Sequence, residues 1–195
     1  MKPSTSHVEW FRSAAPYIHA HRGHTFVIQF AGEACQDETL IHDIALLNSL
    51  GIQLVLVFGS RPQIETRLAK DGRSTRYVKG LRITDTDTLE VVREAVGSVQ
   101  LQLEALLSMG LPNSPMAGAQ IRVVSGNFVV ARPIGVREGT DYCNTGEVRR
   151  VDADALRDHL QQGAIVLVAP IGFSRTGELF NLYAYRLVSA LGLST

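Results

Sequence analysis

The chain has 195 residues, 45% of them apolar and 7% aromatic, with 19 Lys plus Arg against 19 Asp plus Glu. That length suits one domain with a sizeable core and is short for two. The balanced charge offers no basic field to nucleic acid or an anionic membrane, and no apolar run approaches the roughly 18 residues that span a bilayer.

The first 22 residues read as an amphipathic helical arm, with Val8, Phe11, Ala15 and Ile18 on one face, set apart from residues 23–195 by His21-Arg22-Gly23. The segment lacks the continuous apolar core of a secretory signal, so a cytoplasmic protein is expected. His19, His21 and His24 have no carboxylate or cysteine beside them, and cationic side chains favour a helix C-terminus, so no metal is expected there. His42 and His159 fall on helical patterns as surface or boundary residues. Cys35 and Cys143 lie in unrelated contexts and form no C-x-x-C pair, which reads as free thiols.

Short apolar runs then alternate with helical patterns. TFVIQFAG (25–32) is strand-like and apolar enough to be covered on both faces, except for Gln29. In 37–51, Leu40, Ile41, Ile44, Leu47 and Leu50 share a helical face that ends at Gly51. IQLVLVFG (52–59) is a second buried strand, followed by a helix over RPQIETRLAKDG with proline near its start and glycine past its end. This strand, helix, strand, helix rhythm predicts an α/β fold with a mostly parallel open sheet sandwiched by helices.

A long helix is expected from about Thr88 to Met109, with Asp87 and Glu90 forming a capping box. QIRVVSGNFVVARPIGV has two β-branched runs around Ser125-Gly126-Asn127, the signal of an inserted β-hairpin. After a polar loop come a strand at EVRRV, a helix at DADALRDHLQQG, a strand at 164–170, a turn at Arg175 to Gly177 and a closing helix in YAYRLVSALG.

The strongest local signal is VLVFGSRPQIE, where a buried strand ends at Gly59 and a helix begins two or three residues on. Backbone N–H groups and the positive end of the helix dipole then face the carboxyl edge of the sheet, where open α/β sheets bind ligands. Ala31-Gly32 makes a second such turn, and Arg82, just before a helix, is placed to clamp a carboxylate in bidentate fashion. There is no Walker sequence, no G-x-G-x-x-G and no G-x-S-x-G. Gly32, Gly59, Ser60 and Arg82 thus frame a candidate pocket for a small acidic molecule.

HRGHTFVIQFAGEA, LNSLGIQLVLVFGSRPQIE, GLRITD, VVSGNFVVARPIGVREGTDYCNTGEVRRVD, GAIVLVAP and TGELFNL, in that order to about residue 182, resemble the amino-terminal part of bacterial N-acetylglutamate synthases. The resemblance implies the amino-terminal lobe of the amino-acid-kinase fold. In that family an acetyltransferase domain follows, acetylating L-glutamate with acetyl-CoA in arginine biosynthesis, and the kinase-like part serves regulation by L-arginine and assembly. No cofactor is implied for residues 1–195 themselves; acetyl-CoA is the substrate of the complete enzyme.

Acetylglutamate kinase, a relative of the same fold, is the alternative, with a free-standing small-molecule-binding domain as a third reading. The resemblance places the kinases' phosphoryl-stabilising lysine at Gln29 and an acidic residue that organises their lysines at Tyr185. Two charges are missing, which argues against phosphoryl transfer. It also implies ligand contacts for Arg82 and Asn181, and a contribution to the effector site from an aromatic of the first helix, Tyr17. Tyr183-Ala184-Tyr185-Arg186 departs from the family pattern, so a shortened or altered coding sequence is expected, with self-association through an uncovered sheet edge.

Overall fold

The computed structural model describes residues 5–109, 118 and 120–192. Helix α1 (Thr5–His21) leads into strand β1 (Thr25–Phe30), a short 3-10 turn (Gly32–Gln36), α2 (Glu38–Ser49), β2 (Gln53–Phe58) and α3 (Arg61–Lys70). A ribbon of β3 (Tyr77–Val78) and β4 (Leu81–Arg82) precedes the long α4 (Thr86–Leu107). The remainder is β5 (Val123–Ser125), β6 (Val129–Pro133), β7 (Val136–Arg137), β8 (Thr140–Asp141), β9 (Gly146–Val151), α5 (Ala153–Gln161), β10 (Ile165–Val168), β11 (Ile171–Phe173), β12 (Leu179–Asn181) and α6 (Ala184–Gly192).

The main sheet runs β1-β2-β10-β5, every pair parallel. Alternation along β2 divides the core: Leu54, Leu56 and Phe58 face α2, α3 and α4, whereas Val55 and Val57 face the other way. There they meet Leu156 and Leu160 of α5, Leu187 and Leu191 of α6, and a second sheet ordered β12-β11-β6-β9. Asp37, Asp85 and Asp152 each accept a backbone N–H in the first turn of the helix they precede. The long helix is therefore capped at Asp85 through Thr88 N at 2.7 Å, two residues before the expected Asp87.

Two other expectations are corrected. The inserted hairpin at Ser125-Gly126-Asn127 is absent: β5 pairs with β10 in the main sheet and β6 with β9 and β11 in the second. The turn is a crossover between sheets, because Ile165–Leu167 gives β5 an apolar parallel partner while Val129 and Ala131 bury themselves against the other layer. Antiparallel hairpins do occur at β3–β4, β7–β8 and β11–β12. The strand containing Gln29 is the outer strand of its sheet, and Gln29 is exposed where burial on both faces was expected.

The first helix is present, but much of its apolar face is open: Trp10, Phe11 and Tyr17 are all exposed. It is tied to the body at its end, where Gly23 N donates to Gly51 O and the His21 ring meets Phe26 edge-on.

Candidate ligand site at the carboxyl edge of the sheet

Strands β1 and β2 end side by side, Phe30 opposite Phe58, and each turns sharply. The two turns touch: Gly59 N donates to Phe30 O at 2.9 Å, and Gln63 Nε2 donates to Gly32 O at 2.8 Å. A side chain has no room here. A Cβ on Gly32 would lie 2.5 Å from Gln63 Oε1 and 2.9 Å from Gly59 O, and one on Gly59 would lie 3.1 Å from Gly32 N. Gly32 requires glycine for this close backbone approach, and at Gly59 a Cβ would fit only if the facing backbone gave by a few tenths of an ångström. Beneath them Cys35 is buried against Ala31 O and Gly59 O; burial first, and then the charge of Glu33, push its thiol up to about 11, so it stays protonated and inert.

A cavity of about 420 Å³ opens at these turns. Gly32, Gly59, Ser60, Arg82 and Asn181, from separate parts of the sequence, all line it, with Gln29 at the strand end. Tyr77, Tyr183, Tyr185 and the cation Arg61 line it as well, and sequence reading counted none of them as a ligand contact. The turn pattern around Gly59 was the available signal for Arg61; nothing local pointed to Tyr77. Tyr17 lies elsewhere, on α1, and is 71% exposed.

Arg82 is 3% exposed and already engaged. Its Nη2 donates to Glu65 Oε1 at 2.9 Å, its Nη1 donates to Thr75 Oγ1, and its guanidinium lies 5.1 Å from the centroid of the Tyr77 ring. The Tyr77 hydroxyl donates to the same Glu65 oxygen at 2.6 Å. Burial pushes the Glu65 carboxyl up, but the Tyr77 hydrogen bond and the Arg82 and Arg61 cations together outweigh it and hold the group below the usual carboxylate range. Tyr77 is pushed up to about 12, by burial first and then by its hydrogen bond to Glu65. The free bidentate clamp expected at Arg82 is thus an internal ion pair.

Asn181 is also committed. Its Nδ2 donates to Thr84 Oγ1 at 3.0 Å; Thr84 lies 2.8 Å from Thr145 Oγ1, which donates to the Arg82 carbonyl. These buried polar groups satisfy one another and lock β12 to the loop after β4. The Tyr183 hydroxyl accepts from Arg82 N, which fixes one wall of the cavity. Among the described residues no group of three or more His, Cys, Asp or Glu is placed to hold a metal, and no helix is long and apolar enough to cross a membrane.

A four-stranded parallel sheet with helices on its faces and a cavity at its carboxyl edge defines an α/β ligand-binding fold of the kind the sequence predicts. Residues 24–193 match the amino acid kinase family, and the chain belongs to that family.

Within the family, it is similar to the amino-acid acetyltransferase of Edwardsiella ictaluri, at 52% identity over 193 residues, which are 97% of this chain and 44% of that protein. It is also similar to the crystal structure of N-acetylglutamate synthase from Neisseria gonorrhoeae complexed with coenzyme A and L-arginine. The identity is 38% and the TM-score 0.89, over 96% of this chain and 45% of that one. Carbamate kinase from Giardia lamblia, bound to AMP-PNP, shares the fold alone, at 10% identity and a TM-score of 0.59 over 88% of this chain and 67% of that one.

The chain spans less than half the length of the acetyltransferases it matches, and it corresponds to their amino-terminal amino-acid-kinase-like domain. The family match runs past Tyr183 to residue 193, so the departure read there does not end the likeness.

Proposed function

We propose that this chain is the regulatory and assembly part of an N-acetylglutamate synthase, with residues 1–22 as a helical arm and residues 23–195 as the amino-terminal lobe of the kinase-like body. In the complete cytoplasmic enzyme, acetyl passes from acetyl-CoA to the amino group of L-glutamate in a separate acetyltransferase domain, and L-arginine is the effector. Tyr17, exposed on α1, is offered to the effector site or to assembly.

The observation that carries this reading is the charge around the cavity. Stabilising a transferring phosphoryl group requires fixed cations around its oxygens. Gln29, at the end of β1, is neutral, and the charge of Arg82 is cancelled by Glu65. Arg61, exposed at the rim, is the lining cation without an ion pair among the described residues, so the cavity suits a small acidic molecule but lacks the set of fixed charges for phosphoryl chemistry, which supports regulation over catalysis. The same cavity favours a second reading, a free-standing small-molecule-binding domain framed by Gly32, Gly59, Ser60, Arg82 and Asn181.

Two preparations test the proposal: the 195-residue chain, and the same chain fused to the remaining part of the Edwardsiella relative. Acetyl transfer from acetyl-CoA to glutamate, inhibited by arginine, is expected only from the fusion. ATP-dependent phosphorylation of N-acetylglutamate is expected from neither. Acetyl or phosphoryl transfer by the 195-residue chain alone would overturn the assignment, and an inactive but folded fusion would favour the free-standing reading.

A further inference from the structure

We propose that Tyr183 is a strap. Its hydroxyl ties the β3–β4 and β7–β8 hairpins, which move as one body, to the root of α6, so that the position of α6 sets how far the pair opens.

Every strand of these hairpins has two residues, and an isolated two-stranded hairpin is marginally stable at best in water. The two persist by holding each other. Their tips have the same form: Lys79-Gly80 and Glu138-Gly139 both carry the positive φ pair of a type I′ turn, and the Lys79 ammonium pairs with the Glu138 carboxylate. At their roots, Asn144 N donates to Thr84 O at 2.8 Å and Thr145 Oγ1 donates to Arg82 O at 2.5 Å. Between tip and root, Leu81, Ile134 and Tyr142 are buried together, with Val78 and Ile83 against them, in a small core distinct from the two that flank the main sheet. Contiguous units of this kind open below the free energy of global unfolding.

Tyr183 joins that unit to the body. Its ring packs on the small core, and its hydroxyl accepts from Arg82 N. Its carbonyl accepts from Arg186 N at 2.9 Å and from Leu187 N at 3.1 Å, which makes it the N-cap residue of α6. Ser, Thr, Asp or Asn is preferred at that position, because a short side chain can satisfy an amide of the first turn. Tyrosine cannot, and its side chain reaches across to the hairpin instead. The anchor is firm, since Leu187 and Leu191 of α6 are fully buried beside β2.

The β3–β4 ribbon stands between two spaces. Tyr77 and Arg82 line the cavity at the glycine turns, whereas their neighbours Arg76 and Ile83 line a second cavity of about 420 Å³ that Thr88 of α4 also lines. Movement of the hairpins against the body therefore changes both volumes at once.

NMR relaxation dispersion of backbone amides, in the 195-residue chain and in Tyr183→Phe, tests the strap on the microsecond to millisecond scale. The phenylalanine keeps the ring and removes the hydroxyl. Gly80 and Gly139, one at each tip, are expected to share a single exchange rate, with the open population raised about tenfold in Tyr183→Phe, the effect of one lost hydrogen bond. Ile165 in the main sheet is expected to stay unchanged. Val188→Ala, which loosens α6 against the core, is expected to raise the open population about threefold in the unaltered chain and to add nothing in Tyr183→Phe.

Different rates at Gly80 and Gly139 would overturn the single body. An open population unaffected by the hydroxyl, or no dispersion at either tip, would overturn the strap, as would a matching change at Ile165, which would mark general loosening. A further rise on adding Val188→Ala to Tyr183→Phe would show that α6 acts on the hairpins by another route.

Discussion

Arg82 and Glu65 hold each other at 2.9 Å, Nη2 to Oε1, with the arginine side chain 4% exposed and the carboxylate 39% exposed. One partner is sealed in and the other reaches water. Breaking a fully buried pair by removing one charge costs about 3–5 kcal/mol. Solvent at Glu65 lowers that, so Glu65→Gln is expected to lose about 1–3 kcal/mol in urea denaturation with an unchanged m-value. A loss under about 0.5 kcal/mol would mean that Thr75 and Tyr77 hold Arg82 without the charge.

The same cluster sets two pH limits. Glu65 is held below its usual range when folded, so its contribution is present above the unfolded carboxylate value and is lost as pH falls through the folded one. Tyr77 is pushed up to about 12, so its contribution is complete below the ordinary tyrosine value and is lost as pH rises through 12. Phenolate absorbance, compared between the chain and Tyr77→Phe, should show a missing late titration. A difference centred near the ordinary value of about 10 would count against the Glu65 contact.

The two thiols should separate by reactivity. Cys35 is buried and pushed up to about 11, whereas Cys143 is partly open. With a disulfide reagent at mildly alkaline pH, Cys143 should react first and Cys35 only on unfolding; equal rates in the folded chain would contradict the packing of Cys35 under the glycine turns.

Gly32→Ala should destabilise by about 1–3 kcal/mol, the range for overpacking a close contact. Its Cβ would meet Gln63 Oε1 at 2.5 Å, which a side-chain shift relieves, and Gly59 O at 2.9 Å, which it does not. Adding Gln63→Ala should therefore recover only part of the loss in the same urea titration.

Much of the frame was legible because it rests on local periodicity. The apolar alternation of β2, the helical stripe of α4 and the glycine after β2 are written within a few residues of one another. What failed depended on neighbours distant in the chain. Ser125-Gly126-Asn127 has hairpin chemistry, but the partner that captures β5 is β10, from much later in the sequence. Gln29 sits in an apolar run, and only the strand order reveals that β1 is the outer strand.

The site divided in the same way. The glycine turns were visible because strand, glycine and helix follow one another directly, and Gly32 and Gly59 do meet. Arg82 was identified as important, but its partner within the fold was not. Glu65 lies on α3, and only the tertiary packing of β4 against that helix brings its carboxylate to the guanidinium.

The position of β10 bears on how the chain reaches its folded state. Val55 of β2 is paired on one side with Val27, close in sequence, and on the other with Val166, roughly a hundred residues later. During synthesis, β1, β2 and their helices can assemble while one edge of β2, apolar on both faces, has no partner. The central strand arrives late, so folding must close a long loop before the sheet is complete, and the intermediate before that closure is the species most exposed to aggregation.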